Sequence, residues 1–478
     1  MRPRMSKIQT LLTVFFSILT INVSCFHLHD FKPNYKEALR LSLLFYESQR
    51  SGKLPTNKRI EWRGDSALED KGINGEDLTG GYYDGSDFVK FSFTMAFTST
   101  MLSWGIKEYE DAYKEAGQYF EVLDAVKWAT DYFIKCHVSP NEFYGQVGDF
   151  VADHAFWGRP EEMNMTRPAY KIDAEHPGSD LAGEASAMFS SASVVFKSVN
   201  ETYSKELLRH AVELYEFAKN YRGLYQDVIP GAKQYYESSS YGDELTWAAL
   251  WLYRATDNPK YLDDAEKYYE EFKISEEGSN KFYYNEKVAG LQVQYLQSYN
   301  GSFLADSTGA TEYFESAQKF CDNAVDKQLR TPKGLIYINK LGTLSHASNV
   351  AFLCLRVADL PRMDSKKYVH FAKEQIDYIL GAKGRSFVVG YGYNYPKRPY
   401  HSASSCPAIP QPCNWEQFHS TLPNPQVLHG ALVSGPDQKD FYEDSREEFT
   451  FNEVTLDFNA GFQSALAGLI HHESSEKY

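Results

Sequence analysis

Residues 35–50 read YKEALRLSLLFYESQR, and this pattern predicts a helix that is buried over most of its surface. Asn34 precedes the run and a glutamate stands three positions after it, which is typical of a helix N-terminus. The polar residues Lys36, Arg40 and Glu47 form only a narrow stripe along the helix. A helix with so little polar surface needs neighbours on several sides, so we expect it to pack within a larger helical assembly.

The same helical period continues along the chain. The segment SKKYVHFAKEQIDYILG, residues 365–381, repeats apolar side chains at helical spacing and ends at Gly381. The segment KELLRHAVELYEFAK, residues 205–219, carries a similar apolar stripe. Further helices are predicted to start near residues 88, 120, 180, 242, 259, 287, 310, 346 and 453. About a dozen helices with few strand signals predict an all-α fold, and we expect a single domain over residues 26–478.

Composition excludes one class of partner and favours another. The 478 residues carry a net charge of −15, which argues against nucleic-acid binding because phosphate contacts need a basic surface. Aromatic residues make up 15% of the chain, with 35 Tyr and 31 Phe. So many flat rings can build a thick core and also line a cleft for a ligand with apolar faces, such as a sugar.

The N-terminus has the layout of a secretory signal peptide over residues 1–25. Arg2, Arg4 and Lys7 precede the apolar run LLTVFFSILTINV, and small residues lead up to Cys25. A membrane anchor is the alternative, but the run is short for a span of about 20 residues. The sequence therefore predicts a secreted, extracellular protein that is not held at a membrane after cleavage, and we expect a monomer.

Five cysteines remain after that cleavage, an odd number. Cys406 and Cys413 share the loop CPAIPQPC and could form a disulfide, although spacing alone does not determine pairing. The sequence has no CxxC motif or Cys/His cluster of the kind that binds zinc. Three N-x-S/T sequons are predicted glycosylation sites in a secreted chain: Asn164, Asn200 and Asn300.

Two acidic clusters interrupt the helical pattern. The first lies in GGYYDGSDFVKFSF, residues 80–93, where Asp84 and Asp87 stand three residues apart in a glycine-rich turn among aromatic residues. The second lies near the C-terminus, where Glu453 and Asp457 are spaced to share one face of a helix. A solvated turn would explain the first cluster, and a helix-capping acid with an ion pair to a nearby arginine would explain the second.

Taken together, the two clusters suit the hydrolysis of a glycosidic bond. That reaction needs a carboxylic acid with a raised pKa to protonate the leaving oxygen, and a second carboxylate across the bond to act as base or nucleophile. An apolar wall raises the pKa of the acid, and a second carboxylate helps a base to hold its water molecule.

Long collinear motifs resemble glycoside hydrolase family nine, the endo-β-1,4-glucanases, in its animal branch. The resemblance runs from about Tyr35 to His471 and includes DLTGGYYDGSDFVKF, DHAFWGRPEEM, RPAYKIDAEHPGSDLAGE, GRSFVVGYG and PNPQVLHGALVSGPD. It implies an (α/α)6 barrel of six helical hairpins, an open cleft across the N-terminal ends of the inner helices, and inversion at the anomeric carbon.

The resemblance also implies roles for individual residues. Asp87 matches the general base, Asp84 its partner in positioning water, and Glu453 the general acid. The implied substrate-binding residues are His154, Trp157, His401, Asp444 and Arg446. No cofactor is implied, although a structural Ca²⁺ in some members suggests a metal site at Ser239, Asp243 and Glu244, where a loop with a helix cap is the alternative.

The sequence departs from the family at the substrate-holding positions. Tyr400 and Ser402 replace a histidine and an arginine that bind the sugar at the cleavage point. Leu341 stands where a tryptophan platform is usual, and Ser345 replaces an arginine. Gly85-Ser86 also replaces the usual Ala-Gly between the two aspartates.

Three functions remain open from the sequence. The first is a secreted endo-β-1,4-glucanase with altered subsites, acting on cellulose-type β-glucan. The second is a hydrolase of another β-linked glycan, such as xylan or mixed-linkage glucan. The third is a secreted glycan-binding protein with weak catalysis or none. Retention of all three carboxylates favours an enzyme.

Overall fold

Twelve long helices organise the part of the chain that the computed structural model describes, residues 32–274, 280–298 and 308–475. Each of the twelve has eleven or more residues. In chain order they are α1 Tyr35–Ser48, α2 Ser92–Glu108, α3 Tyr119–Cys136, α4 Ser179–Phe196, α5 Glu201–Asn220, α6 Gly242–Thr256, α7 Pro259–Glu271, α8 Val288–Ser298, α9 Thr308–Asp326, α10 Thr343–Ala358, α11 Ser365–Asp377 and α12 Leu456–Ser475.

The even-numbered helices form a closed inner ring. Each contacts the next along the chain, from α2 through α4, α6, α8 and α10 to α12, and α12 returns to α2. The odd-numbered helices lie outside, with α3 against α2, α5 against α4, α7 against α6, α9 against α8, α11 against α10, and α1 against α12. The fold is an (α/α)6 barrel, which confirms the predicted fold class. From Asn34 onward the chain forms one compact unit.

Burial explains which helices occupy which ring. Every residue of α10 is buried, as are nearly all residues of α4, so these helices are enclosed on all sides. By contrast, α7 buries only Tyr261, Ala265, Tyr268 and Tyr269, one stripe that faces the inner ring. The prediction of a largely buried first helix is confirmed, because α1 exposes little of its surface.

A small antiparallel sheet lies among the loops and was not predicted. It consists of β1 Lys90–Phe91, β2 His137–Ser139, β3 Glu142–Val147 and β4 Ala169–Ile172, with β3 pairing to each of the other three strands. Strands this short carry too few side chains to show an alternating pattern. The sheet matters for the site because β1 begins three residues after Asp87.

Two disulfides are present in the described residues. Cys406–Cys413 confirms the pairing that the loop allowed, and Cys321–Cys354 ties α9 to α10. Cys136 is buried and unpaired. The predicted signal peptide and the sequon at Asn300 lie outside the described residues. Among the helices that are described, none has the length and apolar character needed to cross a membrane.

Candidate active site

Glycines bring the two acidic clusters together. Gly81 has φ +73°, and a Cβ there would lie 2.7 Å from the ring of Tyr132, so this turn accepts no larger residue without rearrangement. A Cβ on Gly85 would lie 2.4 Å from the backbone oxygen of Val454. The turn before α2 therefore packs directly against the segment before α12, which places Asp84 and Asp87 beside Glu453.

The resulting cleft lies at the N-terminal ends of the inner helices and has a volume of about 490 Å³. A backbone hydrogen bond of 3.0 Å, from Leu456 N–H to the Asp84 carbonyl, joins its two halves. The lining combines carboxylates with aromatic rings: Asp84, Asp87, Phe91, Phe150, His154, Gln234, Tyr235, Tyr236, Tyr284, Leu341, Tyr400, Phe449, Glu453, Thr455, Asp457 and Phe458.

Asp84 is held by two hydroxyl donors. Its Oδ1 accepts a hydrogen bond of 3.1 Å from the Thr94 hydroxyl at the start of α2, and its Oδ2 accepts one from the Tyr236 hydroxyl. Burial, followed by the charge of Asp457, raises the pKa of Asp84, while the two donors oppose that shift. The carboxylate is thereby fixed in orientation at the floor of the cleft.

Asp87 lies beside a second buried carboxylate. Burial raises its pKa, and the charges of Asp153, Asp84 and Glu453 raise it further, whereas the backbone N–H of Val89 donates to it at 3.2 Å. Carboxyl oxygens of Asp87 and Asp153 and a ring nitrogen of His154 lie within 4.8 Å of one another. Burial also raises the pKa of Asp153, to about 7. The two acids therefore compete to ionise, and the Val89 N–H favours the charged form of Asp87.

Glu453 has the properties of a general acid. Burial and the charge of Asp457 raise its pKa to about 7. Asp457 accepts a hydrogen bond of 2.6 Å from the Thr455 hydroxyl, and burial raises the pKa of Asp457 to about 6. The expectation that Glu453 and Asp457 lie on one helix face is wrong: Glu453 has extended backbone, φ −61° and ψ 144°, and α12 begins at Leu456.

His154 and Trp157 differ in where the structure places them. His154 lines the cleft as expected, with its ring stacked on that of Phe150. Trp157 does not line it. Only 5% of Trp157 is exposed, its indole N–H donates to Ser405 at 2.9 Å, and its ring packs edge-on against Phe418. The expectation of a sugar-stacking Trp157 is therefore corrected to a residue that supports the wall behind the cleft.

His401 also has a structural position rather than one in the cleft. It is 1% exposed, its Nε2 lies 2.8 Å from the Gln49 side chain, and its Nδ1 accepts the backbone N–H of Ser404 at 3.0 Å. Burial, with a smaller contribution from Arg63, lowers its pKa to about 3, so the ring is neutral. Its expected role in substrate binding is corrected accordingly.

Asp444 and Arg446 hold loops and likewise do not line the cleft. The Asp444 carboxylate accepts backbone N–H groups of Lys397 and Arg398, at 2.8 and 2.9 Å. The buried guanidinium of Arg446 donates to four backbone carbonyls within residues 417–422 and to the side chain of Asn424. Both residues were expected to bind substrate, and the structure instead assigns them to the loops that flank the cleft.

The departures from the family pattern contact one another. The Ser86 hydroxyl accepts the backbone N–H of Ser402 at 3.1 Å and also interacts with the Tyr400 hydroxyl. The Ser402 hydroxyl accepts the Gly158 N–H at 2.9 Å and donates to the Gly158 carbonyl at 2.8 Å. Tyr400 faces the cleft, whereas Ser402 is buried. Hydrogen bonds join these residues into one wall beside the cleft.

The other two departures from the family pattern, Leu341 and Ser345, likewise include one residue in the cleft and one that is buried. Leu341 lines the cleft and is 38% exposed, so the position of the usual tryptophan platform remains open to a ligand. Ser345 lies within α10 and is buried.

Two of the expected calcium ligands, Asp243 and Glu244, lie in the first turn of α6, and Ser239 precedes that helix. Glu244 is buried, its Oε1 accepts the Lys287 ammonium group at 2.6 Å, and its Oε2 has no hydrogen-bond partner among the described residues. Burial raises the pKa of Glu244, and neighbouring Asp243 raises it further. Ser239 is held against Asn285 at 3.0 Å. Adjacent carboxylates, one with an unpaired oxygen, suit a hard cation such as Ca²⁺, so this donor set fits.

Two residues of the site were missed from the sequence. Tyr236 precedes α6 and its hydroxyl reaches Asp84, and Asp153 adjoins His154 in the motif DHAFWGRPEEM. No local pattern marks Tyr236 among 35 tyrosines. Asp153 could have been identified as a third acid beside a cleft histidine.

Comparisons with known proteins identify the family and support the fold. The family model described as glycosyl hydrolase family 9 matches residues 35–466. Endoglucanase 15 of Arabidopsis thaliana is 41% identical over 94% of this chain and 96% of its own length. The structure of an endoglucanase from the termite Nasutitermes takasagoensis matches with a TM-score of 0.89 and 52% identity over 92% of this chain and 99% of that one. Endoglucanase CelQ of Clostridium thermocellum, complexed with cellobiose and cellotriose, matches with a TM-score of 0.81 and 34% identity over 92% and 71% of the two chains.

Proposed function

The chain belongs to glycosyl hydrolase family 9, and from that premise we propose that Asp84, Asp87 and Glu453 are its catalytic residues. It is a glycoside hydrolase, an inverting endo-β-1,4-glucanase that acts on cellulose-type glucans. The observation that carries the residue assignment is the shared cleft: carboxylates from the turn before α2 and from the segment before α12 face one cavity lined with aromatic rings.

The roles follow from the two environments. Glu453, with its pKa raised to about 7, donates its proton to the glycosidic oxygen as the C–O bond breaks. Asp87 removes a proton from a water molecule that attacks the anomeric carbon from the opposite face. Asp84, oriented by the Thr94 and Tyr236 hydroxyls, accepts a hydrogen bond from that water and aligns it. Each turnover returns the proton from Asp87 to Glu453 through solvent.

A reducing-sugar assay on carboxymethylcellulose tests the assignment. We expect Glu453→Gln to lose about 10²–10⁴-fold in kcat, which is the usual contribution of a general acid. The thermal midpoint should not fall, because glutamine keeps the shape of the side chain. Glu448→Gln, an exposed residue in the same segment, is the matched control. Full activity in Glu453→Gln would reject the role of Glu453.

The wall formed by Ser86, Tyr400 and Ser402 favours a changed sugar preference within this activity. Tyr400 places a hydroxyl and a ring where the family has an imidazole, and Ser86 holds it. The assay should therefore include lichenan and xylan. Faster hydrolysis of either of these than of carboxymethylcellulose would identify a hydrolase of another β-linked glycan, and binding without hydrolysis would identify a glycan-binding protein.

We also propose that Ser239, Asp243 and Glu244 hold a structural Ca²⁺. The ion would bind Glu244 Oε2, which the Lys287 ammonium group leaves without a partner among the described residues, together with the adjacent Asp243 carboxylate. Chelation with EGTA should then lower the thermal midpoint of the wild type but not that of Asp243→Asn. Asp263→Asn, an exposed carboxylate on α7, should respond as the wild type does.

The cellular setting is part of the same proposal. The N-terminal pattern supports secretion, and Asn164 is exposed in a loop where a glycan can attach. We propose a monomeric extracellular enzyme whose partner is the β-glucan itself. Mass measurement of the secreted protein, before and after removal of N-linked glycans, tests the leader cleavage, the glycosylation and the monomeric state together.

A further inference from the structure

Two buried histidines meet on the outside of the barrel, away from the cleft. His137 begins β2 directly after α3, and His210 lies within α5. Their Nδ1 atoms are 2.7 Å apart. Glu213, one helical turn after His210, has its Oε2 3.9 Å from His137 Nε2. No sequence motif signalled this cluster, because His137 and His210 are 73 residues apart.

We propose that His137, His210 and Glu213 form a binding site for a divalent transition-metal ion, with Zn²⁺ as the probe ion. One ligand atom from each of the three side chains lies within 4.8 Å of the other two. Two imidazoles and one carboxylate, with water in the fourth position, are a donor set that zinc uses in proteins.

The His137 ring is buried among protein groups. It is 7% exposed, and its Nε2, which faces Glu213 rather than His210, has no hydrogen bond to a side chain of the described residues. The carbonyls of Ser139 and Pro140 lie near the ring and favour its charged form, but burial dominates and lowers the pKa of His137 to about 4. The pKa of His210 is lowered to about 3, mainly by burial. An imidazole offers a metal the lone pair of whichever ring nitrogen carries no proton.

Arg209 holds the metal-free arrangement in place. Its guanidinium donates to His210 Nε2 at 2.8 Å and to the Glu213 carboxylate at 2.9 and 3.0 Å. Since an arginine can only donate, His210 Nε2 must be an acceptor and its Nδ1 must carry the proton that bonds to His137. A metal at His210 Nδ1 needs the opposite tautomer, so Arg209 competes with the metal. Arg209 is exposed and can turn away.

The required movement is small. Tetrahedral Zn²⁺ with Zn–N bonds of about 2.0–2.1 Å places two ligand nitrogens roughly 3.3 Å apart. The two Nδ1 atoms therefore separate by roughly 0.6 Å from their present 2.7 Å. The bound ion would tie the end of α3 to α5 in the outer ring.

Calorimetric titration of the intact enzyme with ZnCl₂ tests the site. We expect one equivalent to bind at this site and to raise the thermal midpoint. Glu213→Gln should weaken that binding by about tenfold or more, and Arg209→Ala should strengthen it by about fivefold, because it removes both the competing donor and a nearby positive charge. Glu206→Gln, an exposed residue on the same helix, should bind as the wild type does.

The cleft cluster of Asp87, Asp153 and His154 is a rival Zn²⁺ site, and a further variant separates the two. His154→Ala should retain the equivalent that Glu213→Gln loses. Unchanged Zn²⁺ stoichiometry in a folded Glu213→Gln protein would overturn the proposal, as would loss of all binding in His154→Ala. Weaker binding in Arg209→Ala would also overturn it, because it would mean that Arg209 supports the ion rather than competing with it.

Discussion

The carboxylate of Asp153 accepts the backbone N–H of Phe88, at 3.0 and 3.2 Å, on the residue directly after Asp87. The backbone beside Asp87, the proposed base, is thus held by Asp153, which is itself buried and acidic. Because burial raises the pKa of Asp153 to about 7, this support carries an energetic cost whenever Asp153 ionises.

The first prediction concerns the stability of Asp153→Asn. The pKa of Asp153 is raised from 3.8 to about 7 in the folded state, so its contribution to stability is fully present below about pH 4 and is lost as the pH rises through 7. Asparagine never ionises and can still accept the Phe88 N–H. Between pH 4 and 8, the thermal midpoint of Asp153→Asn should rise relative to that of the wild type as the pH increases. The control Glu175→Gln, at an exposed site, should keep a constant difference from the wild type. A constant difference for Asp153→Asn would contradict the prediction.

The second prediction concerns the basic limb of the pH–rate profile. Activity should fall as Glu453 loses its proton near pH 7. The charge of Asp457 contributes to that raised pKa, so Asp457→Asn should move the basic limb of kcat/KM to lower pH, by up to about one unit. Asparagine can still accept the Thr455 hydroxyl, which makes the variant a test of charge. If the basic limb stays in place or moves to higher pH, the charge of Asp457 does not raise the pKa of Glu453.

The third prediction concerns the open platform at Leu341. A tryptophan there would present a ring to a passing sugar unit, and aromatic stacking contributes about 1 kcal/mol, or roughly fivefold in affinity. Leu341→Trp should therefore lower KM for a soluble β-1,4-oligosaccharide with little change in kcat. Leu329→Trp, exposed outside the cleft lining, is the control. Equal effects from the two substitutions would mean that the ring acts non-specifically.

The fourth prediction concerns restoring the family residues. The structure favours a loss, rather than a gain, of turnover for Tyr400→His combined with Ser402→Arg. Ser402 is 2% exposed and its hydroxyl makes two hydrogen bonds with Gly158, so an arginine there would displace those contacts and bury an unpaired charge. We expect a lower thermal midpoint and no gain in kcat, with single Tyr400→His milder than the double variant. Higher turnover in the double variant would contradict this prediction, because it would mean that the site still accommodates the family residues.

Sequence reasoning was most reliable where signals repeat. Helix starts were predicted within a few residues, because each long helix carries several turns of the same period, and the ring topology followed from the family resemblance. It was least reliable for residues whose role depends on which way a side chain points. Trp157 and His401 match motif positions, yet both are turned into the wall by hydrogen bonds to Ser405 and Gln49. Tyr236 is the reverse case: it matches no motif, and only the folded barrel brings its hydroxyl to Asp84.

The closure of the inner ring by α12 against α2 has a consequence for biosynthesis. A ribosome releases α2 well before α12, and Glu453 stands just before α12. Until α12 emerges, α2 and α10 expose the surfaces that it will cover, and the cleft lacks the proposed acid. We therefore expect the nascent enzyme to be inactive and prone to association until α12 has been made. Truncation within α12 should yield insoluble chains rather than a weakened enzyme.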